Sequence, residues 1–226
     1  VNLKTSNFYF FIDQLSKQRK KISFNDLNIK IVNNDKLVLS LEKINFSNFG
    51  YKKNSIEGKV VGKKFEAKLG DNLKFIEFKM LDSGIASNLV LNKKTKKGTF
   101  KSKILNTNLK FDFEYDSQRL KIFNSYFRSK NLSFDNETLI TLAPFLKIES
   151  NFELEGLNSK ILEQINFVRL LEQKNIIKKI NSKNIIIYKT KKFSKSFTED
   201  LNFKVDLEHG RLNYEKDFLI EKNFFK

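Results

Sequence analysis

The sequence predicts a mainly β protein: a long antiparallel meander curled into a groove or a sandwich, with a short N-terminal helix and one helical insertion near 159–181. Three observations carry this. Apolar residues recur with period two in short runs from Ile22 to Leu157. Turn signals separate those runs at intervals of about ten residues. The same alternation resumes over 184–225 after one break.

Residues 6–19 read as the helix. Phe8, Phe11, Ile12 and Leu15 fall at i, i+3, i+4 and i+7, with Ser6 and Asn7 placed to cap and Lys17 to Lys21 at the cationic end. From Ile22 the period changes to two. Ile22, Phe24, Leu27, Ile29 and Ile31 form one run, with a slip after Phe24 that predicts a β-bulge. Leu37, Leu39 and Leu41 continue it, and Ile44 with Phe46 resume it after one more slip. The clearest strand is Leu109, Phe111, Phe113, Tyr115, whose other face carries Lys110, Asp112 and Glu114. One side is apolar and the other wet. Val61-Gly62-Lys63-Lys64, Leu81-Asp82-Ser83-Gly84, Lys93 to Gly98 and Asp116-Ser117-Gln118 are the turns.

Residues 159–181 break the series. Ser159 stands as a cap before Ile161, Leu162, Ile165, Val168 and Leu171, which share a helical face. Asn175 marks a kink or a second short helix. Strands return with Ile185 and Ile187, then Leu201, Phe203, Val205 and Leu207, and a His209-Gly210 turn leads into Leu212 and Tyr214. The chain is expected to be one β-rich segment, 1–226, of a longer protein, since it starts without Met and stops within a strand pattern. About fourteen to sixteen strands at roughly 4.8 Å each extend some 65–75 Å, and an open sheet that wide curls or folds over. Apolar inner faces that meet make a filled sandwich; faces that stay apart make a trough. Alternation alone leaves both open.

Composition limits the chemistry. With no Cys among 226 residues, disulfides and thiolate metal sites are impossible, and one His leaves little for a His-based catalytic or zinc site. No run of 18 or more apolar residues exists, the longest candidate being the five residues from Phe8 to Ile12. The formal net charge is +17, a field that attracts nucleic acid or anionic head groups. Of the 43 cations, however, 38 are Lys and only 5 are Arg, and base or phosphate readers lean on the bidentate Arg fork. Lys, Asn, Phe and Ile share A/T-rich codons, so base composition explains much of the bias.

Motifs for chemistry fail individually. Gly58-Lys59-Val60-Val61-Gly62-Lys63-Lys64 has three residues between its glycines where a phosphate loop needs four, and no hydroxyl follows the Lys. It reads as a hairpin. His209 has no positioned carboxylate and nucleophile around it in sequence, and the pairs Asp112/Glu114 and Asp26/Asp35 read as solvated charges. Sequons at Asn45, Asn131 and Asn136 are what chance supplies among 26 Asn. Lys93-Lys94 and Lys96-Lys97 sit at a hairpin tip. Lys110 and Phe111 lie on opposite faces of their strand, against a single-strand nucleic-acid platform. No catalytic constellation, metal or cofactor is expected.

Three stretches share a strand pattern. Ile56-Glu57-Gly58-Lys59-Val60-Val61-Gly62-Lys63-Lys64-Phe65-Glu66-Ala67 is a glycine-marked strand pair. The run from Lys97-Gly98-Thr99-Phe100-Lys101 through Leu109-Lys110-Phe111-Asp112-Phe113-Glu114-Tyr115 is the second, and Leu120 to Phe134 with Phe152-Glu153-Leu154-Glu155-Gly156-Leu157 is the third. Together they resemble the AsmA family of long, β-rich envelope proteins of Gram-negative bacteria. The resemblance implies a periplasmic protein for outer-membrane biogenesis, anchored in the inner membrane by a segment not present in this chain, whose hydrophobic β-groove binds or conducts phospholipid. The partners it implies are phospholipid acyl chains and bacterial envelope membranes, with no nucleic acid and no enzyme activity. It offers no catalytic residues to carry over. Acyl chains ask only for continuous apolar contact, about 0.8 kcal/mol per buried CH₂. Leu39, Phe75, Phe100, Leu109, Phe111 and Phe113 are the expected groove lining. The alternatives are a structural or interaction β-protein with a filled core and a basic nucleic-acid-binding module.

Overall fold

A computed structural model describes residues 2–33, 36–142, 146–157, 181–189, 200–208, 210–220 and 223–225. The chain is mainly β and divides into two compact units, Val1–Leu105 and Asn106–Lys226. The first holds β1 (Asn2–Lys4), α1 (Thr5–Lys17), β2 (Ser23–Asn33), β3 (Lys36–Ser47), β4 (Ser55–Val60), β5 (Lys63–Leu69), a 3-10 turn (Asp71–Leu73), β6 (Phe75–Met80), β7 (Ile85–Asn92) and β8 (Lys97–Ile104). The second holds β9 (Thr107–Tyr115), β10 (Arg119–Arg128), β11 (Leu132–Thr141), β12 (Lys147–Leu157), β13 (Asn181–Lys189), β14 (Asp200–Glu208), β15 (Arg211–Ile220) and β16 (Asn223–Phe225).

In the first unit β1 runs parallel to β2, and β2 through β8 form an antiparallel meander in chain order. The helix starts one residue earlier than its periodicity predicts. Its cap position is Lys4, with no side-chain cap bond, so Ser6 and Asn7 fall inside the helix and not at its cap. Ser6 already lies within the first turn, because β1 delivers the chain directly into Thr5. Phe8, Phe11, Ile12 and Leu15 pack on one side of the sheet, where Ile29, Ile44, Phe46, Leu69 and Leu73 are almost wholly buried. That is a filled core, with helix on sheet. Two tethers hold the helix there. Asp13 is paired with Lys17 one turn on and with Lys93 of the β7–β8 turn at 2.7 Å. Buried Asn48 accepts from Ile22 N at 2.9 Å and donates to the carbonyls of Gln18 and Lys20 at 3.1 and 2.7 Å, fixing the link from α1 into β2.

The slips in the apolar pattern are bulges. Register shifts flank Asp26 in β2 and Lys43 in β3, both at positive φ (56° and 51°). Each bulge amide finds an Asn side chain across the pair: Asp26 N donates to Asn45 Oδ1 and Lys43 N to Asn28 Oδ1, both at 3.0 Å. Neither amide is left unsatisfied. On β4, Gly58 faces the second bulge. A Cβ there would collide with Ile44 Cδ1 and stand 3.0 Å from the Glu42 carbonyl oxygen. Val61 and Gly62 form a two-residue turn with φ of 49° and 73°, so the glycine-bearing stretch is a hairpin and not a phosphate loop.

The second unit opens with an antiparallel meander, β9 to β12, then pairs β12 with β13 in parallel before β13 to β16 resume the antiparallel order. The parallel pair is the departure from a simple meander, and parallel neighbours require a crossover of a dozen or more residues. The predicted insertion near 159–181 sits in that crossover, and residues 158–180 lie outside the described residues. Its final residue is corrected: Asn181 pairs with Lys147 and already belongs to β13, so the returning strand begins at 181 and not at 184. The predicted turn residue His209 also lies outside the described residues, and Gly210 beside it has φ 82°.

Candidate functional site

Residues paired across a sheet point to the same face, so register sorts each unit into two faces. In the second unit one face is apolar. Leu109, Phe127, Phe134, Leu154 and Tyr188 form one row across β9 to β13. Tyr115, Leu120, Ile140 and Ile148 form another, and Phe152, Ile186 and Phe203 lie between them. The rings touch: Phe127 and Phe134 stack at 5.0 Å, Phe134 meets Phe152 edge-on at 5.4 Å, and Phe111 and Phe113 tilt together at 6.1 Å. The reverse face is charged. There Arg128 reaches Asp135 at 2.9 Å and Glu155 at 3.1 Å, and Lys204 reaches Glu215 at 3.4 Å.

This apolar face is half-buried. Among the described residues of the second unit, Phe113 at 8 % exposure is the one buried apolar side chain. A seam of small polar groups crosses it. Ser125 Oγ donates to the Asn136 carbonyl at 2.6 Å, Asn136 Nδ2 donates to Thr138 Oγ1 at 2.7 Å, and the Thr138 and Ser150 hydroxyls lie 3.0 Å apart. On β13, Asn184 Nδ2 donates to Ser182 Oγ and to the Val205 carbonyl, both at 3.1 Å. These groups satisfy one another, so the seam lies flat between apolar rows without calling for a partner. Its signal was in the sequence, in polar residues that occupy apolar-phase positions on consecutive strands. The alternation, read strand by strand, passes over them.

The six expected lining residues separate. Leu109, Phe111 and Phe113 share the apolar face of the second unit. Leu39 packs against the filled core of the first unit, and Phe100 lies on that same face in register with Leu89 and Ile76. Phe75 is a correction. Ile76, Phe78 and Met80 take the core side of β6, which leaves Phe75 on the other face with Val90, its ring lying over the backbone of Gly70. It cannot line the same surface as Phe100. Adjacent apolar residues at a strand start do not reveal which of them sets the phase.

The remaining candidates form no shared site among the described residues. Asp112 and Glu114 lie on the charged face, where Asn124 Nδ2 donates to Asp112 at 3.2 Å. Asp26 is a bulge residue, and Asp35 lies outside the described residues. Among the described residues no group of three His, Asp or Glu side chains is placed to hold a metal ion. Asp13 has its pKa held below the usual 3.8 by its bonds to Lys17 and then Lys93. It is a structural tether. No family model matches the chain, and no curated protein is similar to it. The apolar face offers continuous contact to something greasy, and its polar seam is hydrogen-bonded within itself.

Proposed function

We propose that the chain is a non-catalytic segment of an AsmA-like periplasmic protein for outer-membrane biogenesis, which binds or conducts phospholipid by its acyl chains. The apolar face of β9 to β14 is the surface that would take them. The single observation behind this reading is that this face carries aromatic and aliphatic rows yet only Phe113 among its described apolar side chains is buried. Its apolar rows are half-buried and not sealed to the degree of the first unit's core. Acyl chains suit it because they need dispersion contact and burial, and the seam of Ser125, Asn136, Thr138 and Ser150 is already hydrogen-bonded within itself. Inner-membrane anchoring by a segment outside this chain belongs to the same proposal.

A second reading, a structural β-protein with a filled core, is favoured by one specific observation, the packing of α1 over the sheet in the first unit. Mass spectrometry of lipid co-purifying with the chain separates the two. Bound phospholipid that disappears in a Phe134→Asp, Leu154→Asp variant supports the groove. A clean protein, with that variant as poorly folded as a core mutant, supports the filled body.

A further inference from the structure

Strand direction brings several segments of the first unit to one end: the C-terminus of α1, the link into β2, the loop between β3 and β4, the 3-10 turn and the β7–β8 turn. Lys17, Arg19, Lys20, Lys21, Lys52 and Lys53 are exposed there. A cavity of about 860 Å³ opens among them, lined by Lys17, Arg19, Lys21 and Lys53 against the single carboxylate of Asp71. Lys17 is engaged by Asp13 and Lys52 by Glu57. No carboxylate among the described residues pairs with Arg19, Lys20, Lys21 or Lys53.

The same end presents aromatics to water. Tyr51 is 103 % exposed and Phe49 is 40 % exposed, with Lys21 Nζ 5.9 Å from the Phe49 ring centroid. The loop that carries them is braced: Ser47 Oγ donates to the Phe49 carbonyl at 2.8 Å, and Asn48 is buried at its base. Tyr51 therefore stands clear of the protein on a supported loop, next in sequence to Lys52 and Lys53. Amphipathic rings beside clustered Lys are the composition that partitions into a lipid interface and neutralises its phosphates.

We propose that this end of the first unit docks on the surface of an anionic lipid bilayer, with Phe49 and Tyr51 entering the interface and Arg19, Lys20, Lys21 and Lys53 facing the head-group phosphates. Ammonium groups act as point charges without bidentate geometry, which fits a diffuse anionic surface better than individual bases or phosphates. Single-strand nucleic acid asks instead for rings forming a stacking platform along a cationic groove, and here Tyr51 stands alone at a loop tip. The docking end belongs to the first unit and the apolar face to the second, and either assignment can fail without the other.

The test is sedimentation of the whole chain with vesicles of phosphatidylcholine alone or mixed with phosphatidylglycerol, at low and high salt. Binding is expected only to the mixed vesicles and is expected to weaken with salt. The pairs Phe49→Ser with Tyr51→Ser, and Lys20→Glu with Lys53→Glu, should each lower it by about tenfold or more. The pair Lys63→Glu with Lys103→Glu makes the same charge change at the opposite end of the unit and should retain binding. Far-UV circular dichroism checks that each variant keeps its strands. Equal binding to pure phosphatidylcholine, an aromatic pair that binds like the parent, or an equal loss in the opposite-end pair would each overturn the proposal. So would absent vesicle binding combined with salt-sensitive capture of a single-stranded oligonucleotide. Lipid carried through purification is read separately by mass spectrometry, so failure here does not register as failure of the groove.

Discussion

The two units use one strand grammar and reach different ends. In the first, α1 lies across the sheet and Ile29, Ile44, Phe46 and Leu73 disappear from solvent. In the second, the rings of the apolar face are half-buried, and Phe113 is the one described apolar side chain that reaches core burial. Alternating patterning makes a greasy face in both; a covering element decides whether that face becomes a core or a surface. The first face contributes stability on folding, whereas the second keeps part of its apolar area available for later burial.

Matched truncations break this comparison most directly. Phe46→Ala in the first unit should cost about 3–5 kcal/mol, because it empties a filled site. Phe134→Ala in the second should cost roughly half as much or less, since the ring is only partly removed from water. Urea unfolding of both variants reads the difference, and equal costs would mean the second face is as filled as the first. The next effect concerns the tether of the covering helix. Asn48→Ala removes one acceptor and two donations at the α1–β2 link and should cost about 1–3 kcal/mol, read as a lower urea midpoint.

Asp13 sharpens the comparison through pH. Its folded-state pKa lies below the usual 3.8, so its contribution is present above that value and is lost as pH falls through the lower folded one. Asp13→Asn should remove this acid-dependent component and cost at most about 1 kcal/mol at neutral pH, since its lysine partners are partly exposed. An acid unfolding series on both proteins measures it. The smallest effect is a gain. Val61 is β-branched, 84 % exposed and held at φ 49°. Val61→Asn should stabilise the first unit by about 1 kcal/mol, seen as a higher urea midpoint, by placing Asn-Gly in a turn that demands left-handed backbone.

Much of this architecture was legible in the sequence, for reasons that also explain what was not. Period two and period 3.6 are direct consequences of backbone geometry, so the strands and α1 could be placed from Phe8, Leu15 or Phe111 alone. The bulges were legible because a slip such as that after Phe24 breaks phase, and phase is what the reading measures. Phase does not say which face is covered. Phe75 was therefore misassigned, and the contrast between the units was invisible. The parallel pairing of β12 with β13 was equally hidden, since alternation is the same for either strand direction. The caps failed because Ser6 and Asn7 suit a helix start in isolation, whereas β1 feeds the chain into α1 at Thr5.

Gly58 has a consequence beyond the hairpin it belongs to. The extra residue in β3 swings Ile44 into the space that a side chain on Gly58 would occupy. Bulge and glycine are therefore coupled: a methyl group at 58 would turn the Ile44 side chain aside and press on the Glu42 carbonyl oxygen 3.0 Å away, so Gly58→Ala asks the bulged strand to give way.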